Sequence, residues 1–278
     1  MALGGSYASG TDSFAAAIAN NTSSYGATGS NSVAAGYQGK ASGTYSAAIG
    51  YQSLASANYS LALGGQSTAS GVSSVVVGGG GNTANSQYAS VLGGLLNYAL
   101  AYGATVLGGQ NNRADGQYSV ATGTRATTRT IYGRAVHASG RFNADGDAQT
   151  STFVLRSDTT GATPEALTTN NSSAGTDDQI ILPNNSAYAF HGTIVARQQA
   201  SQGTACAAWK VEGLIRREGS AGTTVLVNSA TTVLDNTPAW GMALSADTTN
   251  GGLKIEVTGA ASTNIRFVAT IYTSEVTY

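Results

Sequence analysis

A five-residue phrase recurs through the first half of the chain at a nearly fixed interval. Ser32-Val33-Ala34-Ala35-Gly36 returns as Ser46-Ala47-Ala48-Ile49-Gly50, Ser60-Leu61-Ala62-Leu63-Gly64 and Ser74-Val75-Val76-Val77-Gly78, so its glycine steps by 14 residues. Gly93, Gly108 and Gly123 continue the series in steps of 15. Ala41, Ala55, Ala69, Ala84, Ala99 and Ala114 keep the same register, and so do Tyr45, Tyr59, Tyr88 and Tyr118. A sustained internal period marks a stack of identical structural units. Fourteen residues are too few for a helical hairpin but suffice for two strands of about five residues and two tight turns. Glycine at the end of each first strand suits a turn that needs positive φ. The extra residue of the later rungs is expected to enlarge one turn.

Alternation along the strand divides its residues between two faces. Val33/Ala35, Ala47/Ile49, Leu61/Leu63 and Val75/Val77 share one face, which is expected to fill the roll. The position between them is Ala34, Ala48, Ala62, Val76, Val91, Val106 and Ala121, apolar in every rung. A solvated face would be polar there, so both faces read as buried. A thin roll has one interior, so the second face is expected to pack against another chain, with small residues allowing close approach.

These phrases at this spacing resemble the head repeats of trimeric autotransporter adhesins, repeats that also occur in bacteriophage tail fibres and tailspikes. The resemblance implies a left-handed parallel β-roll, or β-solenoid, packed as a homotrimer around a threefold axis. It covers about residues 1–140, with clean matches from Ser32 to Gly123. Before Ser32 the phase breaks, and Asn20 to Ser32 reads as an inserted loop. Unlike the adhesins, the chain follows its repeats with neither a heptad stalk nor a membrane anchor.

Composition shifts near residue 145. Residues 1–140 hold 25 of the 37 Gly and 11 of the 14 Tyr, whereas all three Pro and both Trp come later. Three segments follow: a β-roll over 1–140, a connector over 141–150 and a tip domain over 151–278. In the tip, short alternating runs such as Ala207 to Arg217 and Ile265 to Val276 lie between turn clusters, which predicts an all-β, jelly-roll-like β-sandwich. Its place after the repeats resembles the C-terminal tips of phage fibres.

Charge is scarce: 13 Lys+Arg balance 14 Asp+Glu, and charged residues are 10% of the chain. A nucleic-acid binder would need a basic field to displace counterions, so nucleic acid is not an expected partner. The longest apolar run, Phe14 to Ala19, falls well short of the ~18 residues a spanning helix needs, so membrane insertion is not expected either. Met1-Ala2-Leu3-Gly4-Gly5 lacks the basic start of a signal peptide. A lone Cys206 excludes an intrachain disulfide. His137 and His191 have no ligand-spaced neighbours, and Asn143-x-Asp145-x-Asp147 lacks the distal acid of a calcium loop. No catalytic residues, metal or cofactor are therefore expected, and the protein is not read as an enzyme.

What remains is binding. Trp240, beside the Pro238 turn, could offer its ring to a sugar, although a core role competes. Asp177, Asp178 and Gln199 lie in the loops Thr159 to Asp178 and Gln199 to Thr204, the expected receptor contacts. Arg113, Arg125, Arg129, Arg134, Arg141 and Arg156 either pair with nearby acids or form an anion-attracting collar. The expected function is host attachment by a phage tail fibre or tailspike. Its partners would be its own copies, other virion tail proteins and a bacterial cell-surface polysaccharide or envelope receptor, and its place the virion. The alternatives are a bacterial surface adhesin head and a purely structural virion fibre or decoration protein.

Overall fold

The computed structural model describes residues 1–3, 6–16, 24–236 and 238–278, which form two compact units. The first comprises Met1–Thr130 and His137–Gly140, and the second Ile131–Val136 and Arg141–Tyr278.

Each rung of the first unit supplies one strand to each of two parallel sheets. One sheet runs through Ala2–Leu3, Phe14–Ala16, Val33–Ala35, Ala47–Ile49, Leu61–Gly65, Val75–Gly80, Ser90–Val91, Thr105–Val106 and Val120–Thr124 in chain order. The other runs from Gly26–Ala27 through Lys40–Ala41, Leu54–Ala55, Thr68–Ala69, Thr83–Ala84 and Tyr98–Ala99 to Arg113–Ala114. Registers join identical repeat positions, Val33 to Ala47 to Leu61 to Val75. This is the predicted β-solenoid. Its phase also survives before Ser32, because Phe14-Ala15-Ala16 pairs with Val33-Ala34-Ala35 and Gly26–Ala27 with Lys40–Ala41. Residues 26–32 therefore form an ordinary half-rung rather than a loop. The surplus residues fall between Ala16 and Gly26, and the rest of the expected insertion, Asn20 to Ser23, lies outside the described residues.

The faces are the reverse of those the alternation predicts. Ala34, Ala48, Ala62, Val76, Val91, Val106 and Ala121 are completely buried within a single chain. They point inward, toward the equally buried column Ala27, Ala41, Ala55, Ala69, Ala84, Ala99 and Ala114. They fill the roll and have no surface left for another chain. The flanking positions face outward: Ile49, Val77, Leu92 and Leu107 are 41 to 52% exposed. A roll of two strands per rung is so thin that only Ala or Val fits between its sheets, which is why the small residues are the interior ones.

The enlarged turn follows Val77, where Gly78-Gly79-Gly80-Gly81 replaces the shorter Gly64-Gly65-Gln66. Each enlarged rung carries a buried asparagine, Asn82, Asn97 or Asn112, in place of Ser53 or Ser67. Asn97 Nδ2 donates to the carbonyls of Gly93 (3.0 Å) and Gly109 (2.9 Å), and its Oδ1 accepts the Asn112 N–H (3.0 Å). Asn82 and Asn112 repeat the pattern, so the three amides form a ladder through the roll. The same three rungs carry Val76, Val91 and Val106 where the shorter rungs carry Ala, the wider rung taking the larger side chain.

The second unit packs two antiparallel sheets face to face. The larger orders its strands Ala148–Thr159, Ile265–Thr277, Ser186–Gln198, Cys206–Arg217 and Val225–Asp235. The smaller joins Glu165–Ala166, Gly252–Thr258 and Ile180–Ile181, with Gly241–Asp247 also on Gly252–Thr258. Phe153, Tyr188, Trp209 and Phe267 of the first meet Leu167, Ile180, Leu253 and Ile255 of the second in one apolar core. This is a β-sandwich, but three consecutive strands from Ser186 to Asp235 stay in one sheet as a meander. A jelly roll, with its two Greek keys, would distribute them between sheets.

Within this unit Arg134 is wholly buried and its Nη2 donates to both carboxylate oxygens of Glu275, which also accepts hydrogen bonds from Ser151 (2.6 Å), Thr273 (2.8 Å) and Gln149 (3.0 Å). Burial pushes the Glu275 carboxyl up, but the Arg134 charge and these donors outweigh it and hold its pKa below the usual value. A depressed folded-state pKa stabilises the fold above the unfolded carboxyl's 4.5 and loses that contribution as pH falls through the lower folded value.

Two substitutions test these interiors. Asn97→Ala strands buried backbone groups, each costing about 1–3 kcal/mol, and should lower stability in guanidinium chloride by about 3 kcal/mol or more. Glu275→Gln leaves Arg134 buried without a counter-charge and should cost about 3–5 kcal/mol at neutral pH. The same substitution should flatten the acid limb of the stability–pH curve.

Candidate functional site

Four charged residues of the second unit, Arg156, Asp158, Arg197 and Arg266, lie toward one end of its larger sheet. Strand pairing sets Asp158 opposite Arg266, and Arg266 in turn opposite Arg197. Inward positions in these strands carry Ile265, Phe267 and Ala196, so alternation turns the three charged side chains to solvent. Arg266 Nε donates to Asp158 Oδ2 at 3.2 Å. Arg197 Nη1 donates to the Ala205 carbonyl at 3.3 Å.

Two hollows share Asp158 as a common wall. The larger, about 660 Å³, is lined by Arg156, Asp158, Glu165, Asn171, Ser172 and Ser173. The smaller, about 360 Å³, is lined by Asp158, Arg197, Gln199, Asn264 and Arg266. Arg156 Nη1 donates to the Thr169 carbonyl (3.0 Å) and Ser157 Oγ to Glu165 (2.8 Å), which fix two walls of the larger hollow. Asn264 Nδ2 donates to Gln199 Oε1 at 2.8 Å, and the Gln199 N–H donates to the Asn264 carbonyl at 2.9 Å. Each loop anticipated as a contact thus borders one of two polar hollows that meet at Asp158, lined by amides, hydroxyls and guanidinium groups.

The individual expectations fare differently. Gln199 sits in the wall of the smaller hollow, exposed. Asp177 is exposed, but neither hollow includes it, and its carbonyl accepts the Tyr132 N–H at 2.7 Å. Asp178 is buried and closes its own loop, accepting the Gly175 N–H (2.7 Å) and the Ser172 hydroxyl (3.1 Å), so it cannot reach a receptor. Trp240 is only 4% exposed, packed edge-to-face on Phe267 with centroids 6.1 Å apart. Its ring belongs to the core and offers no face to a sugar. Arg134, sealed in the interior, cannot join an anion-attracting collar, while Arg113 pairs with Asp115 and Arg141 with Asp145. The stretch Asn143-x-Asp145-x-Asp147 is closed by its own backbone. Asp147 accepts the N–H groups of Phe142 (3.0 Å), Asn143 (2.6 Å) and Ala144 (2.8 Å). Burial raises the Asp147 pKa, yet these donors and Arg141 bring it below the usual carboxylate value. His191 stacks on Tyr272 at the sheet surface, 5.4 Å between centroids.

Sequence reading missed Asp158, Arg197, Asn264 and Arg266. Each looked like an ordinary strand or turn residue, and the row exists only because two strands 108 residues apart are neighbours.

The burial of Trp240 has a direct check. Trp240→Ala should destabilise the second unit by about 3–5 kcal/mol, as truncation of a core aromatic does. Its indole fluorescence in the wild type should resist acrylamide quenching.

Residues 27–53, 55–80 and 109–126 match the YadA head domain repeat. No curated protein matches the chain. Among solved structures, a tailspike protein of Acinetobacter baumannii bacteriophage Fri1, described as a capsular polysaccharide depolymerase, aligns with 94% of this chain and 46% of its own at 9% identity and a TM-score of 0.26. The tailspike of Acinetobacter phage vB_ApiP_P1 aligns at 11% identity and a TM-score of 0.23, over 96% of this chain and 51% of its own. That of Acinetobacter baumannii phage AM24 gives 8% and 0.23, over 96% and 50%. The chain spans about half the length of these proteins. The matched segments all lie within the solenoid, whose rungs there resemble YadA head repeats.

Proposed function

We propose that the chain is a self-associating attachment protein whose head repeats form the shaft and whose sandwich unit carries the receptor groove. The observation that carries this reading is the outer face of the adhesin-type roll. Ile49, half-buried Leu63, Val77, Leu92 and Leu107 stand in one column along successive strands, and Leu95 and Leu96 lie exposed in the turn beyond Leu92. A chain with 10% charged residues has little else with which to keep such a stripe in water, and contiguous apolar surface of this kind marks an interface. Parallel rolls of equal period can lay these stripes together with their rungs in step, and three copies is the arrangement that the head-repeat resemblance favours. A trimer presents the receptor groove three times, so modest single-site affinity becomes firm attachment to a repeating polymer.

A head-repeat shaft followed by a sandwich unit supports a phage tail fibre or tailspike, with a bacterial surface polysaccharide as receptor. The YadA-head match by itself is equally at home in a bacterial surface adhesin, which is the second reading. In either case the groove is proposed to bind without cleaving. Its two carboxylates are each engaged by a neighbour, Asp158 by Arg266 and Glu165 by Ser157.

Light scattering on the purified chain should give about three times 27.8 kDa. Leu92→Glu with Leu107→Glu, which buries no charge in the single chain, should dissociate the assembly while leaving the β-rich circular dichroism intact. A monomeric wild type would remove the basis of the reading. Labelled protein should decorate bacterial cells without releasing soluble oligosaccharide from their purified polysaccharide.

A further inference from the structure

Resting on the attachment reading, we infer that the smaller hollow beside Arg197 and Arg266 selects an acidic saccharide, binding a sugar carboxylate between the two guanidinium groups. Arg197 and Arg266 are directly opposed across neighbouring antiparallel strands, which places their side chains side by side on the solvent face. Like charges in that relation repel, and among the described residues only Arg266 has an ion-pair partner, Asp158, its neighbour across the strands. Arg156 lies on the same face of the Asp158 strand, two residues away, with Glu165 across the larger hollow. Around the smaller hollow the balance is therefore two cations to one carboxylate. An incoming carboxylate relieves that repulsion and matches the planar fork of a guanidinium in a two-point contact.

The neighbours suit a sugar rather than a bare ion. Gln199 Oε1 is held by Asn264 Nδ2, which orients the Gln199 amide and leaves its own NH2 with no partner among the described residues. Asn264 is fixed in turn by its backbone N–H, which donates to Gln202 Oε1 at 2.7 Å. A rigid neutral donor beside two cations is what a ring hydroxyl next to a carboxylate requires. Asp158 competes with the ligand for Arg266, so its removal should strengthen binding, an effect no merely structural role would produce.

The test uses the full chain and three probes, glucuronate, glucose and inorganic phosphate, in titrations followed by ligand-observed NMR or calorimetry. Glucuronate should bind and weaken with added salt, and glucose should not bind at matched concentration. Arg197→Gln and Arg266→Gln should each reduce glucuronate affinity about tenfold or more. Asp158→Asn should raise it severalfold, with all three variants melting near the wild type because the residues are at the surface. Equal binding of glucose and glucuronate, unchanged affinity in Arg197→Gln, or phosphate binding as well as glucuronate would each overturn the inference. Decoration of cells is measured alongside. Cells bound without glucuronate recognition would sink this inference alone, and absence of cell binding would sink the attachment reading instead.

Discussion

Stacking of identical rungs through parallel backbone hydrogen bonds is the constraint from which the first unit follows. Each strand pairs with its own equivalent one rung away, so every rung must repeat the shape of the last, turns included. The turns obey this at some local cost. Tyr45, Tyr59, Ser73, Tyr88 and Tyr118 all adopt positive φ at one position, and Gln38, Gln52, Gln66, Leu96, Asn111 and Arg125 at another. Such conformations cost a non-glycine residue about 1–3 kcal/mol when nothing supports them. From Tyr45 and Gln52 onward each donates its N–H to the turn of the preceding rung, as Tyr59 does to Thr44 and Gln52 to Tyr37. Stacked side chains add to this: Tyr45 on Tyr59 with centroids 5.4 Å apart, and Gln52 to Gln38 at 2.8 Å. Glycine is obligatory where φ and stacking combine, as at Gly50, where φ is +129° and a Cβ would lie 2.2 Å from the Gly64 carbonyl oxygen.

The same constraint shapes the surface. With the interior narrowed to Ala and Val, larger aliphatic residues can sit only outside, in a column set by the period. The feature that makes the roll stackable thus also leaves an exposed aliphatic column along its length, the surface on which the proposed self-association rests. Where the turn gains a residue, asparagine replaces serine because only the longer amide reaches two carbonyls and an N–H at once.

The second unit follows different rules. The strands of its larger sheet run 11 to 13 residues and pair antiparallel, its core mixes aromatic with aliphatic side chains, and its charges are arranged by depth. At depth, Arg134 and Glu275 are matched and saturated with hydrogen bonds. At the surface, Asp158, Arg266 and Arg197 are left imbalanced. Saturation serves the fold, and the imbalance is what the proposed saccharide site draws on.

From Ser32 to Gly123 the repeat was legible in the sequence: its period, the rungs of a solenoid and the enlarged later turns read directly from spacing, and the two-part division from composition. The sandwich was legible as alternating runs between turns. Which face of the roll points inward was not, because with apolar residues on both faces alternation is symmetric. The direction is decided by how the turns curve the strand toward the second sheet, and Ser13-Phe14-Ala15-Ala16 already carried the repeat that the longer spacing to Val33 concealed. Trp240 and Asp178 looked like contact residues because turns normally lie outside, yet the shared core and a closing loop bury both. The groove depended on tertiary structure alone, since nothing local tells Asp158 that Arg266 will be its neighbour. Local spacing determines the rung, and only the pairing of distant strands decides where the charges meet.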